Sequence, residues 1–232
     1  MKSGKKVIVI TGGNSGLGKA TAKILVRENE VVILGKNAKE VKETSKELEC
    51  DGIICDVTNA EQIKDAFSQV VKKYKKIDCL INCAGVWIEG PIEENNPEEI
   101  KNAVLINTVG TMLVVNALVP QLKKQKYGRI INISSRAGLN PKAERSVYNA
   151  SKWAVTGFTK SLQLELAPFN ISVVGFYPGF IHTGLFEKVG IHKNFGMAMP
   201  VEKPAKALAY LVDVDDDLLI NSFEMESLRE AK

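Results

Sequence analysis

Short apolar runs rich in β-branched residues alternate along the chain with longer stretches whose apolar residues recur at the spacing of a helix face. The short runs predict strands, and they are continuously apolar, which is typical of parallel strands covered by helices on both faces. The predicted strands are Val7–Ile10, Val31–Leu34, Gly52–Ile54, Ile77–Asn82, Arg129–Ser134 and Ile171–Tyr177. The longer stretches predict helices at Gly16–Glu28, Ala38–Glu49, Asn59–Lys73, Pro97–Leu122, Ser146–Leu166 and Val201–Asp213.

This alternation of strand and helix indicates right-handed β–α–β units. We therefore predict an α/β fold, a Rossmann-type doubly wound parallel sheet of six to seven strands with helices on both faces. Leu218–Met225 is the candidate for the seventh strand, and Thr58-Asn59-Ala60-Glu61 is interpreted as a capping box ahead of the third helix. No linker or repeat interrupts the pattern, so residues 1–232 are predicted to form a single domain.

The least regular stretch, Gly179–Pro200, lies just beyond the sixth predicted strand. Ligands of open α/β sheets bind beyond the carboxyl ends of the strands, so this stretch is predicted to be a substrate lid. A plain surface loop is the alternative. If the stretch is a lid, its apolar side chains favour an apolar or amphipathic substrate. These side chains are Phe180, Leu185, Phe186, Phe195, Met197 and Met199.

Charge and composition exclude several classes of partner. The net charge of +4 comes from scattered lysines, no block of five like charges occurs, and only 6% of residues are aromatic, so we expect neither nucleic acid nor a membrane surface as a partner. We find no apolar run of about 18 residues and no signal peptide, which predicts a cytoplasmic protein. Its four cysteines lack metal-binding spacing and are expected to be free thiols.

A glycine-rich turn, Thr11-Gly12-Gly13-Asn14-Ser15-Gly16-Leu17-Gly18, joins the first strand to the first helix. Backbone N–H groups at a helix N-terminus lack helical partners and attract a diphosphate. Glycine is needed there for positive φ angles and for close approach of the backbone to the phosphates. The turn therefore predicts a dinucleotide site, although a tight turn without a ligand stays open on this evidence alone.

The end of the second strand bears on which dinucleotide binds. Dinucleotide sites commonly carry an acid about 20 residues after the glycines, to hold the ribose hydroxyls. Here the strand ends Leu34-Gly35-Lys36-Asn37, without a carboxylate. A small residue followed by a cation leaves room and charge for a 2′-phosphate, so NADP(H) is favoured over NAD(H). The missing acid also argues against S-adenosylmethionine.

Two further strand ends carry residues suited to the same cofactor. Asp56 and Val57 follow the third strand, where the carboxylate could accept a hydrogen bond from an adenine amino group. Asn82, Ala84 and Gly85 follow the fourth, where small residues let the backbone pass close to the cofactor. Each could equally be an ordinary strand-end turn.

Tyr148 and Lys152 lie four residues apart and share one helix face. A phenol is a poor base at neutral pH because its pKa is about 10, and an adjacent ammonium, helped by an oxidised nicotinamide, is expected to lower it. Alone, such a pair is common on solvated helices. Ser134 and Ser135 at the end of the fifth strand strengthen the case, because a hydroxyl there can donate to the same substrate oxygen.

These residues together resemble the short-chain dehydrogenase/reductase family from residue 5 to about 185. The resemblance is carried by Thr11-Gly12-x-x-x-Gly16-x-Gly18, Asn82-Cys83-Ala84-Gly85, Asn107, Ser135, Tyr148-x-x-x-Lys152, and Pro178-Gly179 with Thr183. It implies that Tyr148 is the general acid/base, that Lys152 holds the nicotinamide ribose, and that Ser135 orients the substrate carbonyl. It also implies that Asn107 keeps a water in a proton relay ending at Lys152. Pro178, Gly179 and Thr183 would flank the nicotinamide.

The chain departs from the family pattern at two places. Cys83 stands where the family has a second asparagine, a change at a structural turn that we expect activity to survive. The tail from Glu226 looks too short for an elaborate substrate wall or the usual C-terminal subunit contact. The resemblance implies a homodimer or homotetramer formed through the helices Pro97–Leu122 and Ser146–Leu166. His182 and His192 are interpreted as loop residues, and no metal site is expected.

The leading hypothesis is an NADP(H)-dependent carbonyl reductase or alcohol dehydrogenase acting on a small-molecule carbonyl or alcohol. The alternative is a non-catalytic nucleotide-binding regulator on the same fold, because fold does not determine function. A pure binding module has no need of Asn107, Ser135, Tyr148 and Lys152 together, which favours the enzyme.

Overall fold

The computed structural model describes residues 4–184, 195–215 and 218–228. Its main element is a seven-stranded parallel sheet made of β1 Val7–Thr11, β2 Glu30–Gly35, β3 Asp51–Ile54, β4 Cys79–Asn82, β5 Gly128–Ile133, β6 Ile171–Pro178 and β9 Ser222–Met225. The strands lie in the order β3-β2-β1-β4-β5-β6-β9, which confirms the predicted doubly wound fold. A separate two-stranded parallel pair joins β7 Ile181–His182 to β8 Met199–Pro200.

Helices cover both faces of the sheet, as the continuously apolar strands predict. They are α1 Gly16–Leu25, α2 Ala38–Leu48, α3 Ala60–Tyr74, α4 Pro97–Val104, α5 Thr111–Gln125, α6 Ser146–Leu166 and α7 Glu202–Asp213. One apolar cluster packs α3, α5 and α6 against one face, and a second packs α1 and α7 against the other. Burial of alternate strand residues on each face accounts for strands that are apolar along their whole length.

The predicted helix Pro97–Leu122 is not regular throughout. A π-helical turn, Leu105–Gly110, joins α4 to α5, and Asn107 lies inside it. Such turns inside α-helices are frequent at functional sites. The whole stretch Pro97–Gln125 is long and apolar enough to cross a membrane by length and composition, so our sequence expectation that no such run exists was wrong. Half of its most apolar 18 residues are buried inside the fold, as in the core helix of a globular domain.

Three local predictions need correction. The cap of α3 is Asn59, whose side chain accepts from the backbone N–H of Glu61 and Gln62, whereas the Thr58 hydroxyl donates to Asp56. The capping box was therefore placed one residue too early. The last strand begins at Ser222 instead of Leu218. The first helix ends at Leu25, three residues before Glu28.

The strand order determines where a ligand can bind. β1 and β4 are neighbours in the sheet but their connections leave on opposite sides, and a crevice forms beyond their carboxyl ends at such a switch point. The glycine turn follows β1, and the segment Asn82–Gly85 ends and follows β4. Ser135 comes shortly after β5, and Gly179 comes directly after β6. The fold thus gathers the predicted site residues at one edge of the sheet.

Candidate active site

A cavity of about 470 Å³ opens beyond the carboxyl ends of the strands. Most of the predicted site residues line it: Gly12, Ser15, Gly16, Leu17, Ala84, Gly85, Ser135, Tyr148, Lys152, Pro178, Gly179 and Thr183. Other predicted residues do not line it: Asn14, Gly18, Lys36, Asp56, Val57, Asn82 and Asn107. The cavity therefore holds three of the four candidate catalytic residues, Ser135, Tyr148 and Lys152, whereas Lys36, Asp56 and Val57 form an outer part of the site after β2 and β3.

The glycine turn is built so tightly that side chains would fill it. Gly12 has φ +65°, and a Cβ there would lie 2.9 Å from the backbone of Ala84. A Cβ on Gly18 would overlap the carbonyl oxygen of Gly12. The Thr11 hydroxyl oxygen accepts from the backbone N–H of Cys83 at 3.1 Å and of Ala84 at 3.2 Å, which ties the turns after β1 and β4 together. This bare backbone cradle at the start of α1 fits a dinucleotide diphosphate.

Cys83 contributes its backbone to this arrangement, as expected of a structural turn. Burial raises the pKa of its thiol to about 12, and the charge of Lys152 opposes that shift only in part. A thiol that stays protonated is unreactive at neutral pH. The side chain that replaces the family's asparagine lines the cavity as a thiol whose ionisation burial disfavours.

The outer part of the site carries the residues predicted to meet the adenosine. Lys36 is exposed just past β2. Burial opposes ionisation of Asp56, but hydrogen bonds from the Thr58 N–H and hydroxyl and the charge of Lys36 outweigh it and hold the pKa of the carboxyl below its usual range. One Asp56 oxygen thus closes a strand-end turn. Val57 is buried against Gly110, where it packs in the core.

Asn82 is buried in the sheet, and its side chain donates to Asn132 at 2.9 Å. Asn132 in turn donates to the Thr159 hydroxyl at 3.0 Å. These contacts link β4 to β5 and to α6. Asn82 therefore supports the turn that follows it from beneath.

The geometry distinguishes the two serines at the end of β5. The Ser134 hydroxyl is buried and bonds the Lys152 carbonyl oxygen at 2.9 Å and the Thr156 hydroxyl at 3.1 Å. Ser135 instead lines the cavity together with Tyr148, and its hydroxyl oxygen accepts from the backbone N–H of Ala137 at 3.1 Å. Lys152 lies behind this pair, with Nζ 5.9 Å from the centre of the Tyr148 ring and donating to the Ile133 carbonyl oxygen at 3.0 Å.

Burial dominates the ionisation of both groups. It raises the pKa of the Tyr148 phenol to about 12, against the hydrogen bond with Ser135 and the charge of Arg145. It lowers the pKa of Lys152 to about 8. The phenol therefore carries its proton at neutral pH and is a proton donor. The lowering of the tyrosine pKa predicted for the complex with an oxidised nicotinamide stays a prediction.

Asn107 is almost fully buried, at 1% exposure, in the π-helical turn. Its amide is paired with the backbone of Val86, accepting from N–H at 2.8 Å and donating to the carbonyl at 3.0 Å. It also donates to the Ser151 hydroxyl at 3.1 Å. These bonds connect α4–α5, the segment after β4 and α6. The water-holding role implied by the resemblance stays a prediction.

Comparison with known proteins decides the family. A sequence profile described as short chain dehydrogenase matches residues 6–194. The chain belongs to that family. It is an oxidoreductase of a family that binds a nicotinamide cofactor.

Several relatives of this short-chain dehydrogenase have more specific names. It is 37% identical over 190 residues to a 3-oxoacyl-(acyl-carrier-protein) reductase of Thermotoga maritima, covering 79% of this chain and 77% of that protein. It is 34% identical over 191 residues to a 3-ketodihydrosphingosine reductase of Bacteroides thetaiotaomicron, covering 82% and 70%. The crystal structure of an actinorhodin polyketide ketoreductase with NADPH superposes with a TM-score of 0.87 at 27% identity, covering 96% of each chain.

The structure adds an aromatic wall that sequence reasoning missed. Trp87 is buried against Tyr148, with ring centres 4.3 Å apart and planes tilted by 50°. The Arg145 guanidinium lies over the Trp87 ring, 5.2 Å from its centre. Its Nε is 3.6 Å from a carboxylate oxygen of Glu89. Both Trp87 and Arg145 line the cavity. Sequence position alone could have indicated both residues as part of the site, since Trp87 follows the turn after β4 and Arg145 lies three residues before Tyr148.

The C-terminal segment also contributes to the cavity, through Glu226. Arg136, the residue after Ser135, pairs with Glu224 at 2.6 Å and with Glu226 at 3.4 Å. These ion pairs bring the described part of the tail to the site, where Glu226 forms part of the cavity wall. Sequence reasoning missed Arg136 because its partners are almost ninety positions away.

The predicted lid is described at both ends only. Gly179 donates its N–H to the Met225 carbonyl oxygen at 2.7 Å, which secures the start of the segment. Phe180 and Met197 line the cavity, and Met199 is buried in β8. Leu185, Phe186 and His192 lie outside the described residues. Among the residues the structure describes, no group of three His, Cys, Asp or Glu side chains could hold a metal ion.

Proposed function

We propose that this protein is an NADP(H)-dependent oxidoreductase that interconverts a carbonyl and a secondary alcohol. The observation that carries the proposal is that Ser135, Tyr148 and Lys152 line one cavity together with the glycine cradle. A protonated phenol paired with a second hydroxyl can hold one carbonyl oxygen from two directions. The reductases and the ketoreductase among its relatives act on carbonyl compounds by name, which supports this class of substrate.

The chain's own residues have distinct roles in this chemistry. Gly12, Gly16 and the start of α1 would hold the diphosphate through backbone N–H groups. The nicotinamide supplies the hydride when it is bound. Tyr148 donates a proton to the developing alkoxide, and Ser135 orients and polarises the carbonyl. Lys152, buried behind Tyr148, would hold the nicotinamide ribose.

The cofactor preference rests on the outer part of the site. No carboxylate stands at the end of β2, and Lys36 follows it with its charge exposed. A cationic side chain at this position, with no acid at the end of the strand, favours binding of the 2′-phosphate of NADP(H). The NADPH complex of the related polyketide ketoreductase supports the same choice.

The decisive test is Tyr148→Phe, assayed with NADPH against aldehydes, ketones and diketones by absorbance at 340 nm. Removing the proton donor should lower the reduction rate about 100-fold or more while NADPH still binds. Tyr210→Phe, at an exposed tyrosine on α7, is the matched control and should keep full activity. If the wild-type protein reduces every carbonyl no faster than Tyr148→Phe does, the proposed enzymatic function is wrong. The alternative, a nucleotide-binding regulator, would then stand.

We also propose a homo-oligomer assembled through α4–α5 and α6, whose outer surfaces expose apolar side chains. None of the four cysteines forms a disulfide, which supports a reducing, cytoplasmic location. The substrate itself is proposed only as a small carbonyl or alcohol.

A further inference from the structure

Glu40, in the first turn of α2, is held between two amide side chains. Asn14 of the glycine turn donates to Oε2 at 2.5 Å, and Asn37, the cap of α2, donates to Oε1 at 3.2 Å. Asn37 also accepts from the Glu40 backbone N–H at 3.2 Å. The carboxylate is therefore anchored at the junction of the glycine turn and α2.

This junction lies over the end of β2. A Cβ on Gly35, the last residue of the strand, would overlap the Asn14 side-chain oxygen. Thr44 of α2 donates to the Asn14 carbonyl oxygen at 3.1 Å, which holds the turn against the helix. Dinucleotide folds hold the adenosine ribose at this place, and an acid there hydrogen-bonds its hydroxyls. Glu40 thus places a carboxylate, from the helix, beside a strand end that has none of its own.

Lys36 and Glu40 bring opposite charges to the same end of the site. The charge of Lys36 also acts on the Asp56 carboxyl after β3, whereas the Glu40 carboxylate is tied to the glycine turn. A 2′-phosphate bound here would meet attraction from one side chain and repulsion from the other. A 2′-hydroxyl would instead find a hydrogen-bond acceptor.

We propose that Glu40 is a specificity-determining residue that opposes Lys36. Its carboxylate accepts from the ribose 2′-hydroxyl of NAD(H) and repels the 2′-phosphate of NADP(H), so it narrows the preference for NADP(H). The inference rests on the proposed function, because it requires a dinucleotide on the glycine turn. It adds a residue that reasoning from the strand end alone does not find.

The test is the ratio of NADPH to NADH affinity, measured by titrating each nucleotide into the full chain and following nicotinamide fluorescence without substrate. Glu40→Gln keeps the size of the side chain and an acceptor for Asn14 but removes the charge. It should tighten NADPH and weaken NADH, moving the ratio about fivefold or more toward NADPH. Glu40→Lys should move it further the same way, and Lys36→Ala should move it in the opposite direction.

Glu43→Gln is the matched control, since Glu43 is exposed on the same helix and its loss changes the net charge equally. It should leave the ratio unchanged. A ratio within twofold of wild type in both Glu40 variants, or an equal loss of both nucleotides, overturns the inference and leaves the proposed function standing. Nucleotide binding without any carbonyl reduction overturns only the proposed function, and a wild-type chain that binds neither nucleotide overturns both.

Discussion

Lys152 is a buried cation whose ionisation the fold disfavours. Burial lowers its pKa to about 8 from an ordinary value of 10.5, so the folded chain binds this proton more weakly than the unfolded chain does. Below pH 8 both the folded and the unfolded chain carry this proton, and burial of the charge destabilises the fold by about 3 kcal/mol. Between pH 8 and 10.5 the folded chain binds fewer protons than the unfolded chain, so this destabilisation fades as the pH rises.

We therefore predict that Lys152→Met makes the cofactor-free protein more stable at pH 7 while abolishing activity. The gain should be about 2 kcal/mol, because the hydrogen bond to the Ile133 carbonyl is lost at the same time, and it should disappear by pH 10. Thermal melts at the two pH values measure it. Lys160→Met, an exposed lysine on the same helix, should change stability little at either pH. A methionine variant that is less stable at pH 7 would contradict this account.

The ionisation of Tyr148 should make the pH dependence of the rate differ between reduction and oxidation. With its pKa raised to about 12, the phenol is ready to donate a proton at neutral pH, whereas accepting one requires the phenolate. The phenolate fraction rises tenfold per pH unit below the pKa. We expect alcohol oxidation to accelerate with pH up to about tenfold per unit, and carbonyl reduction to stay flat through neutrality. Initial rates in both directions across pH 6–10 measure this, and an oxidation rate that does not change with pH would contradict it.

Helix α1 must approach the glycine turn closely to place its N–H groups at the diphosphate. Gly18→Ala would push the two apart, because its Cβ would overlap the Gly12 carbonyl. We predict that affinity for NADPH and NADH falls together by about tenfold, or ~1.4 kcal/mol. Gly157 lies in α6, where an added Cβ would meet no atom within 4 Å outside its own stretch of helix, so Gly157→Ala should bind normally and gain about 0.5–1 kcal/mol of stability. Normal binding by Gly18→Ala in a titration would show that this packing is not required.

Most elements were predictable because each depends on local chemistry. Continuous apolar runs and helical spacing located six strands and six helices to within a few residues. The errors have local causes too, since an asparagine at position 59 competes successfully with Thr58 for the cap, and Asp56 takes the threonine hydroxyl. The π-helical turn at Leu105–Gly110 has no spacing signal, because it depends on contacts of Asn107 with distant backbone.

At the scale of the whole molecule, apolar side chains remain exposed on α4, the π-helical turn and α6. They are Val104, Leu105, Trp153 and Leu164, at 38%, 41%, 48% and 82% exposure. Exposed apolar patches commonly mark subunit contacts. We predict a homo-oligomer by light scattering at micromolar concentration, and a shift toward monomer in Trp153→Glu. A monomeric wild-type chain would contradict the proposed assembly.

The sequence by itself determined the fold class and the glycine turn, because these depend on neighbours a few positions apart. The candidate catalytic residues came from its resemblance to a known family. Only the tertiary structure brought Trp87 onto Tyr148, Arg136 to Glu224 and Glu226, and Glu40 to Asn14. It also decided the protonation of Tyr148 and Lys152, since burial shifts both pKa values. Desolvation and long-range pairing depend on how the whole chain packs, and no local pattern records them.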